Sequence, residues 1–159
     1  LQAIVDKHSS EIGKRRKAYF ERAATGEWPA AEAAARCLVM PIFDYAQDHA
    51  EAADFVKVVS EIHARNQSGP DSVSAIDVRF PRFPALRAQF NEALSALTER
   101  EARRRVFLTV NTAFHTIADI YRVSETGSGN PEAARGPMVE QLIVLLKAFL
   151  DAPPTDANG

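Results

Sequence analysis

The segment 137–150, PMVEQLIVLLKAFL, limits what this chain can fold into more than any other. Met138, Val139, Leu142, Ile143, Val144, Leu145, Leu146, Phe149 and Leu150 leave only a narrow polar edge around a helix. A helix that is apolar nearly all round has to be covered on more than one side. The helix before it shows the same excess. Val106, Phe107, Val110, Phe114, Ile117 and Tyr121 share one side, while Leu108, Thr112, His115 and Asp119 form a second, mixed stripe. Burying one exposed leucine contributes roughly 1.5–3 kcal/mol, so several such positions favour association. Two arrangements meet that demand. In one, the last two helices pair with their symmetry mates as a four-helix bundle. In the other, the last helix is a core helix wrapped by the remaining five. The first is the expectation, with Leu108, Thr112, Asp119, Leu142, Leu145, Leu146 and Phe149 at the seam of a homodimer.

The remaining sequence completes an all-α, six-helix bundle-like domain over 1–151, followed by a disordered tail over 152–159. Helix one runs from about Leu1 to Ala24, with Ile4, Val5, His8, Ile12, Tyr19 and Phe20 at helical spacing. Its run Lys14 to Lys17 reads as a solvated face, and Gly26 stops the helix. Helix two opens near Pro29 on the stripe Ala31, Ala35, Leu38, Val39, Ile42, Phe43 and Ala46, and Pro41 inside it costs a hydrogen bond. Helix three spans about Ala50 to Arg65, and 66–78 reads as an irregular connection. Helix four is expected from about Arg82 to Leu97. Thr98 with Glu101 has the form of a capping box that opens helix five. Helix five is expected to end near Arg122. Ser124 to Pro131 reads as a flexible linker, and the last helix is firm from Pro137 after a short turn over Pro131 to Arg135.

Composition excludes several function classes. With 46% hydrophobic and 25% charged residues in 159, the chain can build a core, and its net charge of −2 lacks the electrostatic footprint of a nucleic-acid-binding surface. The single cysteine, Cys37, sits in an apolar run as a buried structural thiol, which fits a cytoplasmic compartment. No window reaches the ~18 apolar residues that span a bilayer. His115 and Asp119 share a helix face four residues apart, a spacing metals use, but no further ligands complete a site. A hydrogen bond between the two is the expected role. No phosphate loop, nucleophile elbow, dinucleotide fingerprint or zinc-helix signature is present, so no catalytic residue, metal or cofactor is assigned.

The helix order, the opening LQAIVDKH, the segment PRFPALRAQF, the Thr98 boundary and the phrase RRRVFLTVNTAFHTIAD together carry a resemblance. They are similar to the C-terminal regulatory domain of TetR-family transcriptional repressors, from Leu1 to Leu150. The resemblance implies an effector pocket walled by helices one to five, taking a small hydrophobic or aromatic ligand. Phe43, Phe55, Phe83, Phe107 and Phe114 are then candidates for its apolar wall, the alternative for each being plain core packing. His63, Asn111 and His115 are candidates to fix a polar group of the ligand. Asn111 stands where such domains often carry a small residue, which leaves open whether it faces a cavity or the seam. The family's helix-turn-helix domain is missing from this chain, so operator DNA would be reached only through a preceding segment. Such a segment is expected, because Leu1 already lies within a helical pattern. The alternative is a helical small-molecule carrier or adaptor module without DNA binding.

Overall fold

The computed structural model describes the backbone of residues 2–65, 84–126 and 129–155, and the side chains of 7–49, 51–58, 84–123 and 129–155. All regular structure among them is helical: α1 (Gln2–Ala24), α2 (Ala30–Asp48), α3 (Ala50–Arg65), α4 (Pro84–Ala93), α5 (Glu99–Thr126) and α6 (Pro131–Asp151). The expected irregular connection at 66–78 lies outside the described residues, as do Phe83 and 156–159.

The central helix is α2, and the last helix does not take that place. α2 packs against α1, α3, α4 and α6 and touches α5. Its sequence explains why so many neighbours fit. Ala31, Ala33, Ala34, Ala35 and Ala46 are buried on several sides, and their small side chains let adjacent helices approach. Leu38, Val39, Ile42, Phe43 and Tyr45 fill the layer between them.

Pro41 lies inside α2 and is buried. Proline has no amide proton, so the carbonyl of Cys37, one turn earlier, loses its usual donor. The structure supplies another one. Arg16 Nε of α1 donates to the Cys37 carbonyl oxygen at 2.8 Å. This corrects the reading of Lys14 to Lys17 as a uniformly solvated face, since Arg16 is buried while Lys14 and Lys17 are exposed. Burial lowers the Arg16 guanidinium to about 10, where it is still cationic at neutral pH. Burial likewise pushes the Cys37 thiol up to about 11, so it stays protonated, as expected for a structural cysteine.

Helix boundaries depart from the sequence expectation in two places. α5 continues through Thr126, four residues beyond the expected end. α6 is one helix from Pro131, running through Pro137, and is capped by Asn130, whose Oδ1 accepts from the amide of Glu132 at 3.0 Å. Asn130-Pro131 is thus a helix start, with proline at the first position where its missing proton costs nothing. The Thr98 signal holds in part: its Oγ1 accepts from the Glu101 amide at 3.3 Å. The Glu101 side chain turns instead to Arg105, at 2.9 Å, and to the Thr155 amide, at 2.8 Å. Arg105 also donates to the carbonyl oxygens of Phe149, Ala152 and Pro153, which would otherwise end α6 without partners. Residues 152–155, expected to be disordered, are therefore tied down against α5. The bond from the Thr155 amide, then the one from Arg105, hold the Glu101 carboxyl below the usual carboxylate range.

The replacement donor makes a testable claim. Arg16→Met is expected to cost about 1–3 kcal/mol in urea unfolding, because it strands a buried carbonyl. In a Pro41→Ala background, where the helix can restore its own donor, the same change is expected to cost about 1 kcal/mol less. Other contacts of Arg16 are lost in both backgrounds and cancel. Equal costs in the two backgrounds would show that Arg16 does not stand in for the missing amide.

Candidate functional site

The buried side chains of α5 face several neighbouring helices. Arg105 marks the side toward α6, through its bonds to the end of that helix. Tyr121 marks the side toward α2, where its hydroxyl donates to Gln47 Oε1 at 3.4 Å and its ring lies 6.5 Å from that of Phe43. Asn111 is on another side, and α3 also packs on α5. One helical turn from it on the same side stand Phe107, Phe114 and His115. Asn111 is 8% exposed, so it belongs to the interior and not to the outer stripe.

Its carboxamide is in an unusual condition. Both Nδ2 and Oδ1 are buried, and among the described residues neither has a hydrogen-bond partner. A buried amide offers two protons and one acceptor, and leaving such groups unmet costs about 1–3 kcal/mol each. Buried polar groups are met in nearly all folded proteins, so an orphan of this size is exceptional.

The other expected pocket residues divide. Phe43 and Phe114 are buried in the core shared by α2 and α5, and Phe107 and His115 are half-buried on α5. Phe55 is elsewhere, stacked on His8 of α1 with ring centroids 4.4 Å apart. His63 lies within α3, but its side chain is outside the described residues, and Phe83 is outside them altogether.

The open side of α5 carries Leu108, Thr112 and Asp119, all exposed, together with exposed Val123. On α6, Leu145 is 63% and Val144 58% exposed, and Met138 is exposed as well. Two expected seam residues are corrected. Leu142 and Leu146 are 3% and 1% exposed and fill the chain's own core, because α6 turns that stripe toward α2 and α5. Phe149 is half-buried under the Arg105 guanidinium. The expected His115–Asp119 hydrogen bond is not formed; the Asp119 carboxylate accepts from Arg122 at 2.8 Å. Among the described residues, no group of three or more His, Cys, Asp or Glu side chains could hold a metal ion.

One cluster was not singled out from the sequence. His8 is buried, its Nδ1 lies 2.9 Å from the Tyr45 hydroxyl, and Arg15 covers the Tyr45 ring at 5.0 Å. This cluster joins α1, α2 and α3 at one end of the bundle. The available signal was His8 on the apolar stripe four residues before Ile12, which leads to a histidine held neutral. Burial, followed by neighbouring Lys7, lowers its pKa from the usual 6.5, while Glu51 acts in the opposite direction and His49 lowers it further.

The sign of the pH effect follows. Above pH 6.5 His8 is neutral in both states and contributes no dependence. As pH falls below 6.5, the unfolded chain takes up a proton that the folded chain resists, so stability drops until pH passes the lower folded value. Thermal unfolding between pH 7.5 and 5.5 is expected to show a larger loss for the parent chain than for His8→Gln. Equal slopes would mean that His8 is not held neutral by the fold. Comparison with known proteins adds no relative: no family model, no curated protein and no solved structure matches the chain.

Proposed function

We propose that this chain is the effector-sensing and dimerisation domain of a TetR-like transcriptional regulator. The carrying observation is the division of α5 into two functional sides. Inward, the orphaned carboxamide of Asn111 stands one helical turn from Phe107 and Phe114, with half-buried His115 between it and the outer stripe. Outward, Leu108 and Val123 are exposed apolar side chains, as are Met138, Val144 and Leu145 on the adjoining α6. One helix therefore touches both an interior that lacks a polar partner and a surface that lacks an apolar one.

In this reading a small, mostly apolar effector with a donor–acceptor head group satisfies Asn111. A ligand shifts a conformational equilibrium only by its differential affinity for the two states. The closed interior, with the amide unmet, is the state the ligand disfavours. A second copy of the chain covers the α5–α6 face, and α5 passes the change from ligand to interface. Contact with operator DNA would come from a separate reading domain joined through α1.

Three measurements test this. The parent chain is expected to sediment at twice its chain mass, and Leu145→Lys at the chain mass with unchanged helical circular dichroism. A monomeric parent chain, or a dimer indifferent to Leu145→Lys, would remove the proposed seam. Asn111→Leu is expected to raise the stability of the unliganded chain by about 1–3 kcal/mol, since it removes an unmet polar group of similar size. It is also expected to abolish thermal stabilisation by aromatic amides and acids that the parent chain shows. Stabilisation of the parent chain by none of a broad panel would favour a plain dimerisation module. For the regulatory part, coding sequence upstream of Leu1 is expected to read as a three-helix DNA-binding unit.

A further inference from the structure

Apart from the interior of α5, the structure holds an open groove of about 510 Å³ between α1 and the end of α2. That volume is within the range of small-molecule sites. The groove exists because Ala18 presents only a methyl group between Arg15 and Arg22, so one helical turn of α1 leaves space.

The charges around it are unequally matched. Arg15 closes one end on Asp48, with Nη2 to Oδ2 at 2.6 Å. Arg22 is held at the other end by Glu27, Nε to Oε2 at 2.8 Å, and lies 4.4 Å over the Trp28 ring. Both cations are thus committed. Asp44, halfway along, has no such partner. Its Oδ2 accepts the Tyr19 hydroxyl at 2.5 Å, and among the described residues no cation lies within ion-pair distance of it. Burial and the bond to Asp44 raise the Tyr19 hydroxyl above its usual range, so this donor keeps its proton. Asp44 is half-buried, which makes an unneutralised charge there more costly than on the open surface.

We infer that this groove binds a small organic amine, whose ammonium pairs with Asp44 and whose body lies over Ala18 against the Tyr19 ring. A carboxylate-bearing ligand is disfavoured, because it would have to draw Arg15 or Arg22 from an existing partner. A neutral ligand leaves Asp44 as it is. The site is independent of the interior at Asn111, so neither depends on the other being correct.

The probe is 2-phenylethylamine, titrated calorimetrically into the full chain, with 2-phenylethanol as its neutral counterpart. Saturable amine binding with Kd of about 1 mM or tighter is expected, and no saturable binding of the alcohol. Asp44→Asn keeps an acceptor for Tyr19 but removes the charge, and is expected to weaken binding at least about tenfold. Ala18→Leu fills the groove from an exposed position without altering any charge, and is expected to weaken it similarly. Asp54→Asn, an exposed acid on α3, is expected to bind as the parent chain does. Non-saturating uptake overturns the inference, as does equal binding of the alcohol. Full retention of binding in Asp44→Asn or Ala18→Leu, or equal weakening by Asp54→Asn, would do the same.

Discussion

The amide proton that Pro41 lacks is the constraint around which the bundle is arranged. α2 touches every other helix, so any local failure in it is felt throughout. A proline in the middle of such a helix strands a carbonyl in the least hydrated part of the molecule. Bringing water there would open the core. The chain instead inserts the Nε of Arg16, so α1 and α2 are joined by a directional bond as well as by apolar contact. Burial of a guanidinium is costly, and its lowered pKa records that cost. What the bond adds is registry: α1 can slide along α2 only by leaving both groups unmet. Pro137 in α6 shows the contrast. The carbonyl it strands belongs to exposed Ala133, where solvent can serve.

With α1 and α2 fixed, the remaining helices divide the work. α6 packs on α2 and α5 through Val139, Leu142, Ile143, Leu146 and Leu150. That leaves Val144 and Leu145 exposed among the described residues. Arg105 secures this pairing from the other end, because its donors meet the last carbonyls of α6 while Glu101 neutralises it in a buried pair. A buried ion pair is a weak source of stability but a strict geometric condition. Here it fixes the α5–α6 angle, and therefore the shape of the exposed apolar surface that the proposed second copy would cover.

The sequence made the helices legible because their periods are strong, and the outer stripe of α5 because Leu108, Thr112 and Asp119 fall on one side whatever the partners. It could not separate Leu142 and Leu146 from Val144 and Leu145. A helix that is apolar nearly all round gives no phase, so only the packing of α6 against α2 decides which leucines are inside. Arg16 was illegible for the opposite reason. Within the run Lys14 to Lys17 it has the appearance of surface charge, and its burial depends on a proline twenty-five positions away. The tail over 152–155 was read from composition alone, which carries no information about Glu101 and Arg105 waiting on α5. Asn111 was recognised as ambiguous, and its interior position follows from three neighbouring helices sharing one cylinder.

That position bears on how α5 could couple two sites. A polar side chain on the outer stripe would exchange its bonds with water and report nothing. Placed inside without a partner, Asn111 raises the energy of the closed arrangement by an amount that any complementary ligand can recover. The recovery is possible only if the interior opens to admit that ligand, and opening moves α5 relative to its neighbours. Because α5 is locked to α6 through Arg105, movement of one carries the other. An unmet amide and an uncovered apolar surface on neighbouring faces of one rigid helix are, in that case, two parts of one lever. A device of this kind needs no long chain of contacts, only a helix stiff enough to have both sides respond together.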